Sequence, residues 1–134
     1  VETHEFDVAS GRVPAVIDVT AQVLDFCRGK GDGLLNVLVP HATAGLALIE
    51  TGSGSEADLL AVLAGLLPRD ARWQHHHGSA GHGGDHLLPA FVAPSLVLPV
   101  AGGRPLLGTW QSVVLVDPNR DNPVRRVVLS FLAG

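Results

Sequence analysis

The stretch "SLVLPVAGGRPLLGTWQSVVLVDPNRDNPVRRVVLSFL", residues 95–132, decides the fold class. Its short apolar runs, "SLVLPV", "RPLLG", "QSVVLV" and "RRVVLSFL", are separated by turns and loops and read as strands. Gly102-Gly103 reads as a hairpin turn, and the Asp117–Pro123 segment reads as the loop before the last strand. A β-rich second half follows from these residues.

Working outward, Thr3–Val8 alternates and predicts a first strand. Pro14 suits the first turn of a helix. Val16, Val19, Val23 and Phe26 then recur at helical spacing until the glycines of "GKGDG". "LLNVLV", Leu34–Val39, predicts a buried strand, and "GLALIE" predicts a second one close behind it. "SGSEADLLAVLAGLLP" is the clearest helix. Ser53 and Glu56 have the form of a capping box, Leu59, Leu60, Leu63, Leu66 and Leu67 make an apolar face, and Pro68 stops it. "HLLPAFVAP" predicts a short helix limited by Pro89. The organisation is α+β, one domain over residues 1–134, with no internal repeat.

Composition narrows the function classes. A net charge of −4 offers no footprint for nucleic acid, and no apolar run approaches the ~20 residues of a membrane span. The single Cys27 forms no intramolecular disulfide and, on a helix's apolar face, reads as core. With no signal-peptide pattern at the N-terminus, the expectation is a cytoplasmic protein. Only 16% of residues are charged against 46% hydrophobic, which implies that some surface is buried between subunits.

Walker, zincin, nucleophile-elbow and paired-cysteine signatures are all absent. The chemistry-bearing residues lie in "PHATAGLALIE" (40–50), "WQHHHGSAGHGGDH" (73–86) and "LLGTWQ" (106–111). The second of these holds five of the chain's seven histidines. His75 and His86 stand eleven apart across a glycine-rich loop that can fold them onto one point, and His41 ends an apolar strand. By spacing alone, this pattern fits either a three-imidazole metal centre or a solvated loop with an unrelated core histidine. Thr43 and Gly45 fit a turn with N–H groups facing an anion, or a plain tight turn. Asp85 reads as a solvated loop acid, Trp110 as packing, and at most one of Arg125 and Arg126 can face a site, because they alternate along a strand.

"PHATAGLALIE", the His-x10-His loop, "SLVLPV" and "LLGTWQSVVLVD", in this order along nearly the whole chain, resemble the YjbQ-like family. The resemblance implies an α+β, single-domain β-sandwich with flanking helices, assembled as a homotrimer. It also implies a weak, secondary thiamine-phosphate synthase activity, which joins a pyrimidine pyrophosphate to a thiazole phosphate. Matched position by position, His41, His75 and His86 are the expected ligands of a divalent metal, zinc by preference. Glu50 and Gln111 are the expected catalytic groups, and Thr43, Gly45 and Thr109 the expected contacts to a small phosphorylated molecule. His76, His77 and His82 then count as local embellishment. Ile49 and Thr51 stand where the family carries Asn, and Leu88 where it carries Lys, which implies weakened phosphate binding. The alternatives are a non-catalytic metal- or phosphate-binding trimer and a metal-dependent hydrolase.

Overall fold

A computed structural model describes all of residues 1–134. The elements are β1 (Glu2–Ala9), β2 (Ala15–Asp18), α1 (Thr20–Cys27), β3 (Gly33–Leu38), β4 (Gly45–Ile49), α2 (Ser55–Leu66), a 3-10 turn (His82–Leu87), α3 (Leu88–Phe91), β5 (Ser95–Ala101), β6 (Arg104–Pro105), β7 (Ser112–Asp117) and β8 (Val124–Ala133). Five strands form one antiparallel sheet, in the order β1-β8-β3-β5-β6, and three form a second, β2-β7-β4.

The two sheets face each other because each strand alternates. Leu35, Val37, Leu98, Val100, Val127, Leu129 and Phe131 of the large sheet pack with Leu46, Val113 and Leu115 of the small one, around Val19, Val23 and Cys27 from α1 and its approach. The reverse face of the small sheet presents Val114 and Val116 to Leu63 of α2 and Leu88 of α3. The result is a mixed α+β fold of three layers, sheet on sheet on helices. The reverse face of the large sheet stays open: Leu34, Val97 and Leu132 are 45, 59 and 54% exposed.

Three local expectations are corrected. Residues 15–18 are not helical; Ala15–Asp18 is an edge strand paired with Val114–Asp117, and the helix begins only at Thr20. The run Ala-Val-Ile-Asp carries two β-branched residues, and the free edge of β7 offers them a ladder that outweighs the helical spacing. The capping box does not form. Gly54 at φ 103° is the N-cap of α2, Ser53 Oγ donates to Glu50, and Glu56 accepts from the Gly52 N–H. Trp110 is not core; it is 73% exposed.

Antiparallel pairing decides which loops meet. β1, β3 and β7 end, and β8 begins, at the same end of the sandwich, so Ser10, the His41–Ala44 turn and the Pro118–Pro123 loop gather there. The 73–86 segment is pinned to this end by Arg69, which donates to Asp85, to the Pro118 carbonyl (2.9 Å) and to the Ala80 carbonyl (3.3 Å).

A histidine cluster beside a buried arginine network

The glycine-rich loop folds back on itself. Gly78 and Gly81 take positive φ, 85° and 74°, at its turns. Gly83 serves a different need: a Cβ there would stand 2.5 Å from both the His75 carbonyl oxygen and Trp73 Cβ. Trp73 is held in turn by its indole N–H donating to the Pro68 carbonyl at 2.9 Å. This packing sets His75 against the 3-10 turn that carries His82 and His86.

One ring nitrogen from each of His75, His82 and His86 falls within 4.8 Å of the others. His82 Nε2 and His86 Nε2 stand 2.8 Å apart, one ring donating and the other accepting. The ring centroids of His75 and His86 are 4.0 Å apart, and His77 lies tilted against His75 at 3.9 Å. His75 Nε2 is buried and has no hydrogen-bond partner. Burial, followed by the neighbouring imidazoles, lowers the pKa of both His75 and His86, so both rings are neutral near pH 7.

Two carboxylates stand behind His82. Asp121 Oδ2 lies 2.9 Å from His82 Nδ1, and Asp85 Oδ2 lies 3.7 Å away. The first contact is an electrostatic one, since the N–H does not align for a hydrogen bond. Burial raises the Asp85 carboxyl, and the Arg69 guanidinium on it works in the opposite direction. Desolvation opposes ionisation of Asp121 too, but hydrogen bonds from Ser79 and the charges of His82 and Arg69 outweigh it and lower its pKa. Such carboxylate–imidazole contacts orient ligand histidines in metal sites.

Beneath the imidazoles lies a buried network. Arg125, with no exposed surface, donates from Nε to Asp117 Oδ2 (2.8 Å) and from Nη2 to Asp117 Oδ1 and Thr43 Oγ1 (2.9 Å each). Ser10 Oγ donates to Asp117 at 2.6 Å, and Asn119 Nδ2 donates to Thr43 Oγ1 at 2.7 Å. His41, Thr43, His77, His82, His86, Asn119, Asp121 and Arg125 are among the residues lining one open cavity of about 360 Å³.

The expected site residues therefore divide. The structure brings His75 and His86 together, and the imidazole beside them is His82, with His41 outside the group. His41 lines the same cavity, yet its Nε2 accepts the Arg126 backbone N–H at 2.9 Å. Burial and the nearby Arg125 charge lower its pKa. Thr43 faces the cavity. Gly45 does not form an anion-binding turn; it is a strand residue, and a Cβ there would collide with the Val92 carbonyl. Glu50 sits beyond the far end of β4, exposed, about five strand residues or ~16 Å from the histidine end. Gln111 lies at that far end too, its carboxamide accepting the Gly108 N–H (2.8 Å) across a turn that includes the exposed Thr109. Thr51 bonds Asp18 and Ser112 there. Leu88 is fully buried between α3 and the small sheet, so its position holds no place for a cation in the site. Asp85 is buried and paired, not solvated.

The sequence set His82 aside as local embellishment and singled out neither Asp121 nor Arg69. The signal for His82 was present in "HGGDH": spacings of four and three bring His86 and Asp85 to its side on any helix-like turn. Asp121 and Arg69 leave no such local mark, because their partners are 39 and 16 residues away.

The family model described as "UPF0047 protein YjbQ-like" matches residues 4–134. UPF0047 protein Rv2556c of Mycobacterium tuberculosis is 61% identical over 133 residues, 99% of either chain. UPF0047 protein YjbQ of Salmonella typhimurium is 31% identical over 100 residues, 74% of this chain and 72% of its own. Among solved structures, hypothetical protein APE1520 of Aeropyrum pernix K1 superposes with a TM-score of 0.90 at 34% identity, covering all of both chains. Sequence motifs, sheet topology and these matches agree along the chain's length, and the chain belongs to the UPF0047 YjbQ-like family.

Proposed function

We propose that this chain binds a divalent metal, zinc by preference, through His75, His82 and His86, and that the cavity beside it receives a small phosphorylated molecule. The observation that carries this reading is the convergence of three imidazole nitrogens, with His75 Nε2 buried and unpartnered. Buried polar nitrogens are almost always satisfied, and an orphan inside a cluster of imidazoles fits a missing cation. The donor set fits as well: three imidazole nitrogens suit zinc better than the oxygen-preferring magnesium or calcium. When bound, such an ion supplies Lewis acidity to an anionic oxygen of the ligand.

The chain's own residues do the rest. Asp121 and Asp85 hold the His82 ring in place, and Arg69 ties both the histidine loop and the Pro118 loop to that geometry. Thr43 and Asn119 line the cavity as polar groups fixed by their bond to each other. Thiamine-phosphate synthesis is expected to be weak, because Glu50, Thr109 and Gln111 lie at the opposite end of the same chain from the imidazoles. A homotrimer is the proposed assembly, with the open apolar face of the large sheet as the surface to be covered.

The test is metal analysis of purified protein after dialysis against limiting zinc. About one zinc per chain is expected. His75→Ala, His82→Ala and His86→Ala should each lose it, while His76→Ala and His41→Ala keep it. Retention by His82→Ala together with loss by His41→Ala would overturn the ligand assignment.

A further inference from the structure

The Thr43–Asp117–Asn119–Arg125 network has one polar atom left over. Asp117 takes Arg125 Nε and Nη2 as a fork, Thr43 shares Nη2, and Ser10 and the Asn119 N–H complete the Asp117 carboxylate. Arg125 Nη1 is buried and has no partner. Leaving an N–H of a charged guanidinium without an acceptor is costly, and a chain that only needed a core residue here has apolar solutions that avoid the cost. The strand alternation of β8 places this side chain inward, opposite Val8, while Arg126 turns outward toward Glu5.

We infer that Arg125 is the anion receptor of the cavity: its Nη1 pairs with a phosphate oxygen of the ligand, on the cavity wall adjoining the three imidazoles. Arg125 suits the task because Nε and Nη2 are committed, so the two N–H groups of Nη1 are held in fixed directions and little side-chain freedom remains to be lost on binding. Thr43 and Asn119 act as positioning residues, because they fix Nη2 and leave Nη1 over. The Asp121 carboxylate in the same cavity is already engaged by the Ser79 N–H (3.3 Å) and by His82, which moderates its repulsion of an anion. The inference deepens the proposed function and shares its cavity, but it does not depend on the metal.

The experiment titrates inorganic phosphate into the whole protein, zinc-free and zinc-loaded. Binding is followed by calorimetry and by the ¹⁵N-resolved guanidinium signals of Arg125. Those signals are identifiable in the wild type through their proximity to Thr43. Saturable phosphate binding that shifts the Arg125 signals is expected. Arg125→Lys should weaken it by about 10- to 100-fold, the worth of a charge-assisted hydrogen bond, with zinc content unchanged. If Arg125→Lys fails to fold, the wild-type guanidinium shift decides alone. Phosphate bound without perturbing Arg125, or bound equally by Arg125→Lys, overturns the inference, and so does an absence of phosphate binding in zinc-loaded protein. Phosphate binding on Arg125 in a protein that takes up no zinc would sink the metal reading and leave this one standing.

Discussion

Asp117→Ala removes the one carboxylate that neutralises a guanidinium with no exposed surface. Two charge-assisted bonds to Arg125, at 2.8 and 2.9 Å, disappear, and Ser10 Oγ and the Asn119 N–H lose their acceptor. Breaking a buried ion pair from one side costs about 3–5 kcal/mol, mostly because the surviving charge stays desolvated. For a chain of 134 residues, 1 kcal/mol moves the thermal midpoint by roughly 3–5 °C, so a fall of about 10–20 °C is expected. The assay is urea and thermal unfolding of metal-free wild type, Asp117→Ala, Arg125→Met and the double variant. The double variant should lie well above the sum of the singles, with a coupling of about 2 kcal/mol or more, because no unpaired charge remains in it. The exposed pair Arg28–Asp25 provides the contrast, and Asp25→Ala should leave the midpoint essentially unchanged. A cost below about 1 kcal/mol for Asp117→Ala would refute the reasoning, since it would show that the Arg125 charge does not depend on the Asp117 carboxylate.

Acidification should destabilise the metal-free fold between about pH 7.5 and 5.5. His41, His75 and His86 have folded pKa values below 6.5, so the unfolded chain binds more protons there and stability falls as pH falls. The raised Asp85 carboxyl acts with the opposite sign at lower pH. Replacing the three histidines by Gln should flatten the profile, and a midpoint that rises on acidification would contradict the assignment. Light scattering should give three times the 13.9 kDa chain mass at micromolar concentration, and Leu34→Glu with Leu132→Glu should lower it. A monomeric wild type would remove the assigned role of the open sheet face.

Most elements were legible in the sequence because their signals are local. Short apolar runs separated by turns and loops gave β5, β7 and β8, the Gly-Gly turn gave the β5–β6 hairpin, and the leucine periodicity with Pro68 gave α2. Residues 15–18 were misread because their helical spacing is a local property and their strand partner, Val114–Asp117, lies about a hundred residues away. The same limit governs the site. The glycine-rich loop announced that His75 and His86 can meet, but only the folded loop brings His82 beside them, while His41 is bonded to the Arg126 N–H of β8. Sequence also narrowed the two arginines to one, since alternation lets only one face inward. That it is Arg125, and that one of its nitrogens is left without a partner, follows from the register of β8 against β1 and the packing of three loops at one end of the sandwich. Periodicity and turn chemistry act over a few residues and can be read along the chain. Burial and hydrogen-bond satisfaction depend on groups brought together from far apart, so the tertiary structure alone decides them.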